Sequence, residues 1–369
     1  MRYDTRARRG LRALVIAVAI SLALGGILAG AASAAPPTAT QRAQRGAQWL
    51  ANQITANKGF VKSFGVADAT DTAYAVIALR AAGVDKPAAN LAMKYLDTKL
   101  GSALRLDGTD SPGAIADYIM AAVADGQDPR HFNGTGVTNN LVNRLLATER
   151  RTGKDAGLFG AQAPTYDGAF REGLALAALE SANVAATDPH ITQALTWLTN
   201  QQCANGMWEA YRTNVATPCP AANPNTFTGP DTNSTSLAVQ GLAAWGRRPR
   251  QANVLTSLHV IQSSDAGFPF VAAPSQASDP DSTALVIQAL IAENSPPTGT
   301  TWRKGAHSPF TALASYQLGC AQAGYGAFFF PGSTSPNTFA TVQAVPAMAS
   351  KTLPVAPSSA SVIVSLSPC

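Results

Sequence analysis

The chain has 369 residues, of which 46% are hydrophobic and 13% charged, enough apolar material for one large buried core. Its formal charge of +5 rests on the N-terminus: setting aside the five Arg and one Asp of residues 1–34 reduces the 27 basic and 22 acidic residues to 22 and 21. So nearly neutral a chain has no basic stripe, which excludes nucleic acid as a partner.

The elements can be taken in chain order. Residues 2–12 are Arg-rich, 13–30 are apolar, and Ala32-Ser33-Ala34 is a small-residue cleavage signal ahead of Pro36-Pro37. Residues 1–34 therefore read as a signal peptide, and the mature chain as a secreted protein. The apolar run just reaches spanning length, so only an uncleaved leader would hold the protein at a membrane.

From there to residue 350 one couplet recurs: an outer, amphipathic helix, a Gly-turn carrying an aromatic, then a polar cap opening an apolar helix. Unit one has Trp49-Leu50, Gly59-Phe60 and Asp71 to Leu79. The most degenerate, unit two, has Met93 to Leu96 and Ala114 to Val123. Unit three has Leu141 to Leu146, Gly157-Leu158-Phe159, Asp167 and Gly173 to Leu179. Unit four runs from Gln193 to Trp208 and resumes at Asp231 to Leu242. Unit five has Leu255 to Gln262, Gly267-Phe268 and Asp281 to Leu290. Unit six has Leu313 to Leu318, Gly324-Tyr325-Gly326 and Asn337 to Val345.

The second helix of each unit is nearly all Ala, Leu, Val and Ile, and a helix apolar all round needs neighbours all round. Closing the inner helices into a ring sheathed by the outer ones satisfies that need. The expected fold is all-α, an (α/α)6 toroid of six helix-hairpin repeats over residues 35–350. Residues 351–369 are read as an extended C-terminal tail.

The four cysteines, all in the C-terminal half, fit an oxidising compartment. Three pairings are possible. The preferred one joins Cys203 to Cys219 across the long loop of unit four, and Cys320 to Cys369 to tie the tail to unit six. There is no close Cys-x-x-Cys pair and no His at zinc-ligand spacing, so neither a metal nor a cofactor is expected.

The set Trp197, Leu198, Gln202, Gly206 and Trp208 resembles the glutamine-tryptophan repeat of squalene-hopene and oxidosqualene cyclases. The Asp231-Thr-Asn-Ser-Thr235 start of an apolar helix resembles the wider terpenoid cyclase/protein prenyltransferase superfamily, which also holds cobalamin carriers and complement thioester domains. The likeness spans roughly residues 41–350 and implies the α/α toroid. It implies much less about chemistry, because one fold hosts several functions.

The chemistry of those families can be tested residue by residue. Triterpene cyclases protonate an alkene with the middle acid of Asp-x-Asp-Asp, and Asp279-Pro280-Asp281-Ser282 lacks the last Asp. No Asp-Asp-x-x-Asp cluster exists for magnesium-diphosphate. Asp231, Asp281 and Asn337 have no Cys or His beside them for a prenyltransferase zinc. Gly319-Cys320-Ala321-Gln322 lacks the Glu and the spacing of a thioester. None of His131, His190, His259 and His307 is paired by motif with a nucleophile. Carboxylates paired for glycoside cleavage would leave no mark in one sequence.

What remains is the barrel mouth. Helix starts and the residues behind them place Asp71, Thr72, Asp167, Asp231, Asn233, Asp281, Ser282 and Asn337 in a polar ring. Gln240, Gln288 and Gln343 are expected in register two turns further in, with Trp208 among the nearby aromatics. A concave apolar site with convergent amides and carboxylates is how small-molecule pockets look. The expected function is a secreted, non-catalytic toroid binding a small molecule or a cell-surface partner at that mouth. The alternative is an enzyme on a polyprenyl or triterpenoid substrate, with Asp281 and Asp279 as its acids.

Overall fold

The computed structural model describes residues 36–132, 139–163, 166–250, 252–367 and 369, and the compact unit is Pro37–Cys369. The leader expected at 1–34 lies outside the described residues. Among these residues the chain forms twelve α-helices and two short hairpins.

The helices follow one another in outer-then-inner pairs. They are α1 (Ala39–Ala56) and α2 (Ala69–Ala82), α3 (Lys86–Asp97) and α4 (Pro112–Ala124), then α5 (Leu141–Leu146) and α6 (Ala169–Ser181). Next come α7 (Pro189–Asn200) and α8 (Thr232–Ala244), α9 (Val254–Ile261) and α10 (Pro280–Ala292), and α11 (Pro309–Ser315) and α12 (Thr338–Met348). The hairpins β1 (Val61–Ser63)–β2 (Val66–Asp68) and β3 (Arg105–Leu106)–β4 (Thr109–Asp110) lead into α2 and α4.

Composition decides which helices lie inside. In α1 burial is centred on one face, built from Ala43, Gly46, Ala47, Leu50, Ala51 and Ile54 at helical spacing, with Gln48 beside it. In α2 every residue from Asp71 to Ala81 is buried. The inner helices pack in sequence, α2 on α4, α4 on α6, α6 on α8, α8 on α10 and α10 on α12, and α12 returns to α2. The ring is closed. Small residues set its tightest seam, between α6 and α8. A Cβ on Gly173 would sit 2.2 Å from the Leu237 carbonyl oxygen, and one on Gly241 2.7 Å from the Gly173 Cα.

A repeated hydrogen bond joins each turn to its inner helix. The backbone N–H groups of Val61, Trp208, Phe268 and Phe328 donate to the hydroxyls of Thr72, Thr235, Thr283 and Thr341, at 2.9–3.1 Å. In the α5–α6 turn, Phe159 donates instead to the buried Glu172 carboxylate at 3.0 Å. Two residues before each donor the backbone is left-handed, at Gly59, Gly157, Gly206, Ala266 and Gly326. The turn of unit five thus pivots on Ala266 rather than on the Gly267 the sequence suggested. Amides of Gln202, Gln262 and Gln317 close three of these turns by donating to the carbonyls of Gly206, Ala266 and Gly326 at 2.9–3.0 Å. The glutamine-tryptophan spacing is therefore a turn lock, and the Trp208 indole completes it by donating to the Leu198 carbonyl at 2.8 Å.

The caps correct the expected register. Asp68 and Asp279, in extended backbone just outside their helices, accept the N–H groups of Asp71 and Ser282 at 2.8 Å. Asp71 and Asp281 thus lie inside the first turn rather than at the cap. Asp231 and Asn337 cap α8 and α12 as expected, while Gly168 stands at the cap of α6 in place of Asp167.

Both cysteine pairs take the preferred connectivity, Cys203–Cys219 and Cys320–Cys369. The tail crosses the C-terminal ends of the inner helices. Leu353 and Val355 are buried, Arg80 donates to the carbonyls of Ser358 and Ala360, and Val362 bonds Gly83 and Asp85.

Two substitutions test this account. Thr235→Val leaves the buried Trp208 N–H unpaired and should cost about 1–3 kcal/mol, whereas Thr235→Ser, keeping the hydroxyl, should lose no more than about 1 kcal/mol. Gly173→Ala should cost about 1–3 kcal/mol by forcing α6 and α8 apart. Urea midpoints of the purified variants give both values.

Candidate active site at the ring mouth

Counting from the true caps puts one residue of each inner helix at the same depth. Six positions beyond Asp68, Ser111, Gly168, Asp231, Asp279 and Asn337 stand Tyr74, Asp117, Leu174, Leu237, Leu285 and Gln343. All of them line a single cavity of about 250 Å³ at the N-terminal end of the ring. Its floor is divided. Gln343, Tyr74 and Asp117 form a polar arc on the adjacent helices α12, α2 and α4. Leu174, Leu237 and Leu285 form an apolar arc on α6, α8 and α10.

The first turns form the wall above that floor. Thr70 and Asp71 come from α2, Gly113 and Ala114 from α4, Phe170 and Arg171 from α6, and Phe339 from α12. Arg171 donates through Nη1 to Asp167 at 3.0 Å, and Asp167 also accepts the Ala161 N–H at 2.9 Å. Among the described residues, the one basic side chain on the wall is thus held by its own carboxylate.

The acids here are unusual. Asp117 is 5% exposed and Gln343 4% exposed, and Asp117 Oδ1 and Gln343 Oε1 have no hydrogen-bond partner. Burial, reinforced by the neighbouring Asp71 charge and opposed by Arg171, pushes the Asp117 carboxyl well above the ordinary carboxylate range. Burial and then the Asp68 charge push Asp71 up to about 6, against the lowering hydrogen bond from Ser63. Asp281, just outside the lining, is pushed up to about 8 by burial, then by Asp279 and Asp71, and its Oδ1 is unpartnered. A helix N-terminus favours a nearby carboxylate; here loss of water outweighs that.

The residues expected at the mouth divide accordingly. Asp71 and Gln343 line the cavity. Asp167 orients Arg171. Asp281 and Ser282 lie buried in the first turn of α10, with Asp279 spent on the cap. Asp231 and Asn337 are caps, Asn233 lies in the first turn of α8, and Thr72 is a turn tether. Trp208 is fully buried in its turn lock and does not line the cavity. Gln240 and Gln288 stand nine residues beyond their caps, and Gln343 only six beyond its own. That difference sends them to opposite ends. Gln240 accepts the Leu353 N–H at 3.0 Å and Gln288 donates to the Lys351 carbonyl at 3.1 Å, both holding the tail.

Sequence reasoning missed Tyr74, Asp117, Phe170, Arg171, Phe339 and the leucine arc. The signal was present. Counting six from the caps finds the whole floor, but only after Asp68, Gly168 and Asp279 replace Asp71, Asp167 and Asp281 as origins and Ser111 is taken as the cap of α4.

No protein family and no curated protein matches the chain. Solved structures do. An unsaturated glucuronyl hydrolase from Streptococcus agalactiae is similar over 85% of this chain and 90% of its own, with TM-score 0.56 and 11% identity. An inactive variant of an alpha-1,6-mannanase from Salegentibacter, in complex with alpha-1,6-mannotriose, covers 85% of this chain and 98% of its own, at TM-score 0.53 and 10% identity. A protein geranylgeranyltransferase-I from Candida albicans, complexed with GGPP, covers 81% and 89%, at 0.51 and 11%. At such identities the likeness is one of fold: the chain is an α/α toroid.

The buried acids predict a specific pH dependence. A carboxyl whose folded value lies above its unfolded one makes stability fall as pH rises between the two. For Asp281 that window runs from about 4 in the unfolded chain to about 8 in the folded one. Asp281→Asn should gain stability relative to the wild type across that window and level off above it. Urea melts of both proteins from pH 4 to 9 read the difference, and a constant difference would show that Asp281 ionises freely.

Proposed function

We propose that this chain is a secreted (α/α)6 toroid of six helix hairpins whose mouth binds a small molecule rich in hydrogen-bond donors. The observation that carries this reading is the pair of unpartnered, deeply buried acceptors, Asp117 Oδ1 and Gln343 Oε1, on the floor of the cavity at the mouth. A buried polar atom left unpaired costs about 1–3 kcal/mol, and a donating ligand removes that cost. The leader-like residues 1–34, two disulfides and no helix long and apolar enough to cross a membrane among the described residues support secretion.

The terpenoid reading is less well supported. Its acids would be Asp279 and Asp281, yet Asp279 accepts backbone N–H bonds at the cap of α10. Asp281, pushed up to about 8, is a weak acid where alkene protonation calls for a strong one. The coupling of Asp71 and Asp117 favours a different enzymatic reading, acid–base cleavage with Asp117 as proton donor and Asp71 as base. Two fold neighbours are named for carbohydrate substrates, which makes glycosides the substrates to try.

Native mass spectrometry of the protein secreted into its own culture medium tests the binding reading. A discrete added mass should appear on the wild type, vanish on denaturation and be absent from Gln343→Leu. A wild type that carries no added mass and takes up none from a concentrated extract of that medium would sink the proposal. Glycoside turnover abolished by Asp117→Asn would place the activity in the enzymatic class.

A further inference from the structure

We infer that the mouth recognises an amphipathic organic cation, an ammonium group on a compact apolar body. This deepens the reading of the mouth as a ligand site and rests on it.

The polar arc offers two buried acceptor atoms that nothing among the described residues pairs. Asp117 Oδ1 and Gln343 Oε1 are unpartnered, the Asp71 carboxyl stands one turn nearer the start of its helix, and Asp281 lies in the first turn of α10 just outside the lining. A polyol could donate to these atoms as well as an ammonium could. The charges separate the two. Each carboxyl here is crowded by another, Asp71 by Asp68, Asp117 by Asp71, and Asp281 by Asp279 and Asp71. A cation beside these carboxyls favours their ionised forms and pairs with them, which a neutral hydroxyl does not do. Among the described residues Arg171 is the one basic group on the wall, and its charge is largely met by the ion pair with Asp167, though it still opposes the rise at Asp117.

A metal ion fits the geometry poorly. Among the described residues, the one group of three metal-ligating side chains whose donor atoms lie within 4.8 Å of one another is Cys203, Glu209 and Cys219, whose two cysteines form a disulfide. Asp71, Asp117 and Asp281 do not converge that closely. Spread carboxyls suit a cation that presents several N–H donors in different directions. An ammonium has three.

The other half of the cavity specifies the body. Leu174, Leu237 and Leu285 present an uninterrupted apolar surface facing the polar arc. Phe170 and Phe339 flank the entrance, Phe339 being 41% exposed, and aromatic faces attract organic cations on their way in. The cavity of about 250 Å³ admits a single ring or a short branched chain.

The test compares shapes that differ only in charge. Titration calorimetry on the full secreted protein would measure cyclohexylmethylammonium, benzylammonium, the corresponding neutral alcohols and a methyl hexoside. The ammonium ions should bind at least tenfold more tightly than their alcohols, and Asp117→Asn should reduce that ratio to near one. Should the variant not fold, carboxyl-carbon NMR of the wild type serves instead, because a bound ammonium should lower the pH at which Asp117 ionises. Alcohols or the hexoside binding as tightly as the ammonium ions would overturn the inference and leave the mouth reading intact. A preference unchanged in Asp117→Asn would overturn it too. An absence of any ammonium binding would also overturn it, and the native mass spectrum would then judge the mouth reading by itself.

Discussion

The structure depends on one hydrogen bond, repeated around the ring. A threonine hydroxyl, or in one place the Glu172 carboxylate, sits four residues past the inner-helix cap and accepts a backbone N–H from the preceding turn. That N–H is buried and would otherwise go unpaired. The bond fixes where each inner helix starts relative to its outer partner. Once the starts are level, the rest follows by helical geometry: residues six beyond the caps fall at one depth, and residues nine beyond fall nearer the other end. Only α4, with Ile115 at the tether position, lacks this bond. There the Ser111 N–H donates to the Leu104 carbonyl across the β3–β4 hairpin at 2.8 Å.

The same levelling separates the two ends of the ring by role. The C-terminal end is closed by the tail, with Leu353 and Val355 filling it and Gln240, Gln288 and Arg80 gripping its backbone. The N-terminal end stays concave in part because Gly113 and Ala114 stand at the two wall positions of α4, where larger side chains would fill it. Glutamines that look equivalent along the sequence therefore serve different ends. Three residues of offset, almost one helical turn, make the difference.

The open end holds buried carboxyls at a cost in stability. Asp71, Asp117 and Asp281 are carboxyls deprived of water and crowded by one another, and the folded protein keeps them protonated to higher pH than an unfolded chain would. Alanine or leucine at these positions would satisfy the core better. Groups retained against stability inside a cavity are what a functional site looks like in physical terms. The divided floor, acidic on one arc and apolar on the other, gives such a site an orientation.

The sequence alone determined a good deal. Its couplet of Gly-turn and apolar helix dictated paired helices, because a helix apolar all round must be enclosed, and its cysteine placement favoured the two disulfides that form. It also located the mouth, since polar residues open each inner helix. It did not determine depth. Asp71 and Asp281 have the residue type of a cap, and only the extended backbone at Asp68 and Asp279 shows that the helices begin two or three residues earlier. Reading the floor needs those two caps together with Gly168 for α6 and Ser111 for α4, and Gln240 and Gln288 reach the other end because they stand nine residues past their caps. Local patterning records which residues prefer a helix or a turn. Which side chains share a level is decided by the tethers and by ring closure, bonds between residues 11 to 27 positions apart that no local pattern encodes.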